Sequence, residues 1–210
     1  DSEENQVGGF YPGAMTDSQD LGLTAWKDQD PLMVISAHDP AAMARQVAEC
    51  RKWDLHLCYD VGQQVTNLPV NDMIDGIKAA KVLIVNEYEM DTLAARTNMD
   101  IEIIKNTVPV VITTFGKRGS VIEGVTVQKP IKMEIVKADQ VVDPTGAGDS
   151  YRGGFFYGYS RGWDLEVCAG LGATCAAYTI EQHGTQGHSF TLEQAAQRYK
   201  AHFKQALPHS

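Results

Sequence analysis

The sequence predicts an α/β protein: a mostly parallel sheet with helices on both faces. Short apolar runs of strand length alternate along the chain with longer runs at helical spacing. Most of the strand candidates are continuously apolar, as strands covered on both faces need no polar side. The composition agrees, with 43% hydrophobic and 21% charged residues among 210, enough for one domain with a sizeable core.

The chain opens with "DSEENQVGGFYPGAM", polar turn residues followed by a short extended segment from Val7 to Tyr11. Turn chemistry of this kind joins two strands, and the first of that pair does not precede it. Residues 1–15 therefore read as the remnant of a substrate-side segment, and 16–210 as the core domain. After Pro31, "LMVIS" is a buried-strand pattern. "DPAAMARQVAECRKW" follows as a helix, with Asp39 as N-cap and Pro40 at the first helical position. "LHLCYD" (55–60) is the next strand and "VNDMIDGIKAAK" (70–81) the next helix. "VLIVN" (82–86) runs straight into the helical "EYEMDTLAART". "VPVVITTF" (108–115) is a further strand, turning through "GKRG" into "SVIEGVTVQK", a hairpin by its glycines and β-branched residues. Three helices close the chain, at 147–161, 164–180 and 191–206. No repeat or linker divides residues 20–210.

A formal net charge of -9 argues against a nucleic-acid groove, which wants a basic face. It leaves room for a small phosphate ligand, which a few amides and one cation can hold. Cys50, Cys58, Cys168 and Cys175 form no CxxC pair and read as small buried hydrophobes in a reducing compartment. No apolar run reaches the roughly 18 residues of a membrane span, and no signal-peptide pattern opens the sequence. The expectation is a cytoplasmic protein with neither membrane nor nucleic acid as partner.

Ligands of open parallel sheets sit beyond the carboxyl ends of the strands, which singles out "YDVGQQ", "NEYE", "TTFGKRG" and "DPTGAGD". In the last, a helix starting near Gly146 leaves its first amides without intrahelical partners and with partial positive charge. Gly146, Ala147 and Gly148 are small enough to let a phosphate oxygen approach, and Asp149 falls in the first turn, facing the cleft. The string is neither a P-loop, which requires GxxxxGK[ST], nor a dinucleotide fingerprint, since Tyr151 stands at the third glycine position. Its bland alternative is a helix start whose acid merely complements the dipole.

Asn86 and Glu89 share one helical face, and an amide oxygen with a carboxylate suits Mg²⁺, which takes few protein ligands. They equally suit a capping box, and both roles can hold together. Thr114, Gly116 and Gly119 surround a basic tip with Lys117: either a solvated hairpin turn or a turn against a nucleotide, with Lys117 near its phosphates. Arg152, three residues after Asp149, suits a phosphate, Asp149 itself or a surface ion pair. Gly153 and Gly154 read as places where another backbone packs close. His183 and His188 lack a third metal ligand nearby, so His183 fits a pocket or loop cap better than a metal site.

Three strings in this order, Asn-x-x-Glu, Thr-x-Gly-x-x-Gly and Asp-Pro-Thr-Gly-Ala-Gly-Asp, resemble the ribokinase (PfkB-type) family of carbohydrate and nucleoside kinases. "FYPGAM" (10–15), "YDVGQQ", "GDSYRGG" and "EQHGTQGH" (181–188) are similar to its bacterial adenosine kinase-like members. The resemblance implies a ribokinase-like three-layer α/β/α sandwich with its lid largely absent. It implies ATP and Mg²⁺, with transfer of the γ-phosphate to a primary hydroxyl, foremost the 5′-hydroxyl of adenosine, or of a sugar. Asp149 is the implied general base and Gly146, Ala147 and Gly148 the anion hole. Asn86 and Glu89 organise Mg²⁺, partly through water. Thr114, Gly116 and Gly119 contact ATP, and Ala173 with the 181–185 loop, including His183 and Gly184, lines the adenine pocket. Asp143 and the Thr145 carbonyl are the implied site of a monovalent cation such as K⁺. The resemblance implies an earlier segment holding most acceptor contacts, and that segment is expected to be missing here. An open lid edge would accept a second copy of the chain, or a separate chain supplying that segment.

Overall fold

The apolar runs do become strands. In the computed structural model, which describes residues 11–208, β1 (Leu32–Ile35), β2 (His56–Tyr59), β3 (Val82–Asn86) and β4 (Val110–Thr114) pair in parallel. β5 (Ser120–Glu123) and β6 (Ile131–Met133) add two antiparallel strands, so the spatial order follows the chain, β1-β2-β3-β4-β5-β6. The extended segment expected at 7–11 lies outside the described residues except for Tyr11, which is exposed.

Strands laid down in sequence order by crossovers of one hand place the connecting helices on one face. α1 (Pro40–Trp53), α2 (Val70–Ala79), α3 (Glu87–Thr97) and α4 (Ile101–Lys105) form that layer. Leu57, Tyr59, Leu83, Val85 and Val111 pack there against Met43, Val47, Met73, Ile77, Leu93 and Ile104. The alternate residues of the same strands, Cys58, Val82, Ile84, Val110 and Ile112, pack on the other face. Their partners come from α5 (Ala147–Tyr159) and α6 (Leu165–Thr179), notably Tyr151, Phe155, Cys168 and Ala169. α7 (Leu192–Phe203) lies over α6, with Tyr199 and Phe203 against Gly170. The result is the expected three-layer sandwich.

Local chemistry explains the boundaries. Asp39 caps α1, accepting from the amides of Ala41 at 2.9 Å and Ala42 at 3.0 Å, with Pro40 at the first position. α5 and α6 approach closely because a Cβ on Gly154 would lie 2.8 Å from the Leu171 carbonyl oxygen, and one on Gly172 2.7 Å from that of Tyr151. Gly153 does not behave as expected: it is exposed and a Cβ there would face open space, because one residue's turn of the helix carries it off the face that Gly154 packs on α6. The hairpin expected over 120–129 forms only its first strand there: β5 ends at Glu123 and its antiparallel partner β6 lies further on, at Ile131–Met133. α4, of five residues, escaped the sequence reading because it is too short to show a period. All four cysteines are buried and unpaired, and burial pushes the Cys58 and Cys168 thiols up to about 12, as inert hydrophobes require. Among the described residues no helix is long and apolar enough to cross a membrane.

Candidate active site

The carboxyl ends of β2, β3 and β4, the starts of α3 and α5, and the 181–188 loop converge. Gly146 forms the N-cap of α5 with φ 85°, a left-handed conformation that glycine adopts freely. A Cβ there would also press on Thr185 at 3.1 Å, so the glycine lets the 181–188 loop lie against the helix start. The first hydrogen bond closing a turn of α5 runs from Ser150 N to Gly146 O at 3.0 Å, leaving the Gly148 and Asp149 amides without acceptors in the helix. Ala147 differs from the expectation: its amide donates to Pro144 O at 3.2 Å, because the preceding turn folds back on it. Open space surrounds the Gly148 Cα, so an anion meets bare backbone there.

Asp149 stands in the first turn of α5, with 68% of its side chain exposed. Its Oδ1 accepts from Arg152, and Oδ2 accepts no hydrogen bond from the described residues. Arg152 also pairs with Asp60, a carboxylate 1% exposed at the end of β2. The sequence reading gave Asp60 no role; its only signal was its place in "YDVGQQ" at a strand end.

Asn86 and Glu89 form the capping box of α3: Asn86 Oδ1 accepts from Glu89 N at 2.8 Å, and Glu89 Oε2 accepts from Asn86 N at 2.7 Å. Burial raises the Glu89 carboxyl above the usual range, its backbone hydrogen bond opposes this, and Asp60 and Arg152 act on it with opposite signs. Glu89 thus belongs to the same group of charges as Asp60, Arg152 and Asp149. Its Oε1 accepts no hydrogen bond from described residues, so the pair retains oxygen for a water-rich Mg²⁺ while capping its helix. Among the described residues no three His, Cys, Asp or Glu side chains converge as a closed metal cage.

Thr114 ends β4 directly beside Asn86, its register partner. The next turn, Gly116–Arg118, is tied to α3 by Arg118–Glu87 at 2.5 Å. Gly116 faces open space, whereas a Cβ on Gly119 would lie 2.0 Å from Met133 O, so Gly119 serves the β5–β6 packing. Lys117 is exposed on the same turn.

Asp143 clamps the glycine turn to the 181–188 loop: Oδ1 accepts from Thr145 N and Oδ2 from Gly184 N, both at 2.9 Å. The Thr145 side chain foremost, then the Gly184 and Thr145 amides, lower its carboxyl to about 2, with His183 a smaller influence. Gly184 faces open space and His183 is exposed beside it. Ala173 is only 8% exposed, in the cluster with Ile112 and Phe155, and offers a ligand little surface. His188 stacks on Phe190.

A doubly covered parallel sheet whose strand ends gather an amide-rich helix start, a first-turn acid and an Asn–Glu cap is the architecture of the ribokinase-like proteins. The pfkB family carbohydrate kinase profile matches residues 10–191, and the chain belongs to that family. It is 30% identical over 202 residues to the nucleoside kinase of Methanocaldococcus jannaschii, covering 96% of this chain and 65% of that protein. The crystal structure of that kinase superposes with a TM-score of 0.81 at 29% identity, over 95% of this chain and 65% of the other. The Burkholderia thailandensis nucleoside kinase in complex with ADP-inosine superposes with a TM-score of 0.88 at 25% identity, over 98% and 64%. Arabidopsis thaliana ribokinase is 29% identical over 164 residues, 73% of this chain and 41% of that protein. The chain thus spans just under two thirds of the length of the nucleoside kinases it matches.

Proposed function

We propose that this chain is the ATP-binding core of a phosphotransferase that moves the γ-phosphoryl group of ATP to a primary hydroxyl of a nucleoside, with the 5′-hydroxyl of adenosine as first candidate. The single observation that carries the proposal is the start of α5, where the Gly148 and Asp149 amides lack helical acceptors beside a carboxylate with one oxygen open to the cleft. The similarity to two nucleoside kinases favours a nucleoside acceptor. Similarity to ribokinase keeps a sugar acceptor as the second reading.

In this reading Asp149 Oδ2 takes the proton of the acceptor hydroxyl while that oxygen attacks phosphorus. The loose transition state of phosphoryl transfer lets proton removal come late, so an ordinary carboxylate suffices as base. The amides at the start of α5 donate to the oxygens of the transferring group, where charge builds. Gly116, Gly148 and Gly184, each facing open space, give the triphosphate and adenosine of ATP a wall free of side chains, with Thr114 and Lys117 beside it. Asn86 and Glu89 would hold Mg²⁺, which supplies charge neutralisation at the phosphates. Asp143 and the Thr145 carbonyl are the place for K⁺, although Asp143 would have to share oxygens already bound to Thr145 and Gly184.

The test is Mg²⁺-dependent ADP formation across adenosine, inosine, other nucleosides and ribose. Turnover with nucleosides supports the proposal. Turnover with ribose alone moves it to the sugar-kinase reading. ATP binding without turnover on any acceptor makes the chain a nucleotide-binding unit that needs a further segment for catalysis.

A further inference from the structure

Arg152 stands between two carboxylates on different elements. From the second turn of α5 its Nη1 meets Asp60 Oδ2 and its Nη2 meets Asp149 Oδ1. Asp60 is held from three sides. The Ser36 hydroxyl donates to Oδ2 at 2.6 Å, the Gly62 amide donates to Oδ1 at 3.0 Å, and the Asp60 N–H donates to Ile35 O at 2.9 Å. A carboxylate this buried is costly unless paired. Burial pushes its carboxyl up, and Arg152 is the largest influence in the other direction, followed by Ser36. The position of Arg152 is therefore set by the sheet and not by its own helix.

That anchoring changes the meaning of the Arg152–Asp149 contact. An exposed pair three residues apart on a helix is worth a few tenths of a kcal/mol and leaves both side chains loose. Here one end of the guanidinium is fixed at the ends of β1 and β2, so the other end presents a fixed donor to Asp149. Two nitrogens in a rigid fork reach two carboxylates at once, which a lysine ammonium on a flexible stem does not reproduce.

We propose that Asp60 and Arg152 are positioning residues for Asp149: the chain Ser36–Asp60–Arg152 holds Oδ1 and turns Oδ2 toward the acceptor hydroxyl. The proposal rests on the reading of Asp149 as the base. It extends the site from the start of α5 to strand ends that carry no catalytic group of their own.

The experiment uses Asp60→Asn, Arg152→Lys, Arg152→Met and the milder Ser36→Ala in the full chain. It reads kcat and KM for both substrates, nucleotide affinity by calorimetry, melting temperature, and the Asp149 χ1 populations from NMR scalar couplings. Positioning predicts one dominant Asp149 rotamer in the unmodified chain and averaged rotamers in the Arg152 variants. It also predicts kcat lower by about 10- to 100-fold, the scale of a misplaced reacting group, with nucleotide affinity unchanged. Arg152→Lys should fail to rescue, and Ser36→Ala, which leaves the ion pairs in place, should show the same change on a smaller scale. A single Asp149 rotamer in Arg152→Met overturns the proposal whatever the turnover. Lower melting temperatures with unchanged kcat per folded molecule do so as well. If the unmodified chain turns over no acceptor, the kinetic comparison gives way to the rotamer populations, which alone judge the positioning role.

Discussion

Asp149 shares its helix turn with small residues, and each of them sets a distinct expectation. Replacing Asp149 by Asn removes the open carboxylate oxygen and leaves the amides, so turnover should fall by roughly 10²- to 10⁴-fold, the usual contribution of a positioned base. Nucleotide affinity measured by calorimetry should be preserved; near-normal turnover would mean that the acid only complements the helix dipole. Gly146→Ala forces a Cβ onto φ 85° and against Thr185. The left-handed conformation alone costs about 1–2 kcal/mol, so the variant should unfold at lower urea and loosen the 181–188 loop, seen as faster amide exchange there. At this scale the sequence was informative about Asp149, Asn86 and Glu89, whose neighbours are close in the chain. It was silent on Asp60, because its partners Ser36 and Arg152 lie 24 and 92 positions away and meet it only after the sheet forms. The direction of the Ala147 amide was not legible for a related reason, since turn geometry and not residue size points it at Pro144 O.

The contact between α5 and α6 separates two adjacent glycines that look equivalent in sequence. Gly154 faces Leu171, Gly172 and Cys175, so Gly154→Ala overpacks the contact and should destabilise by about 1–3 kcal/mol. Gly153 faces open space in a helix interior, and Gly153→Ala should stabilise by roughly 0.5–1 kcal/mol through restored helix propensity. Urea unfolding of both variants checks the pair, and equal effects would contradict the observed packing. The loop clamp gives a pH dependence. Asp143 titrates at about 2 when folded but near 3.9 in an unfolded chain. Its stabilisation is therefore present above about pH 4 and lost as pH falls through the folded value. The stability gap between the unmodified chain and Asp143→Asn should be widest at pH 5 and close toward pH 2. Elements long enough to repeat a pattern were legible from sequence. α4 and β6 owe their existence to neighbours: α4 to the Asp100 cap and the burial of Ile104, β6 to the edge that β5 offers.

The whole molecule leaves one corner of its sheet uncovered among the described residues. β1 pairs only with β2, so its outer row of backbone groups has no strand partner there. On the face that α5 and α6 cover over β2, β3 and β4, Val34 of β1 stands 44% exposed. An unpaired edge beside exposed apolar surface is a template for another strand. A second copy of this chain supplies one at no cost in specificity, by the two-fold pairing that dominates homo-oligomers. The expected outcome of light scattering after size exclusion is thus a mass near twice 23.0 kDa that falls on dilution. Val34→Lys places a charge beside the edge, which blunts strand addition, and should give a monomer with the fold and nucleotide affinity retained. A monomer at every concentration in the unmodified chain would exclude self-pairing.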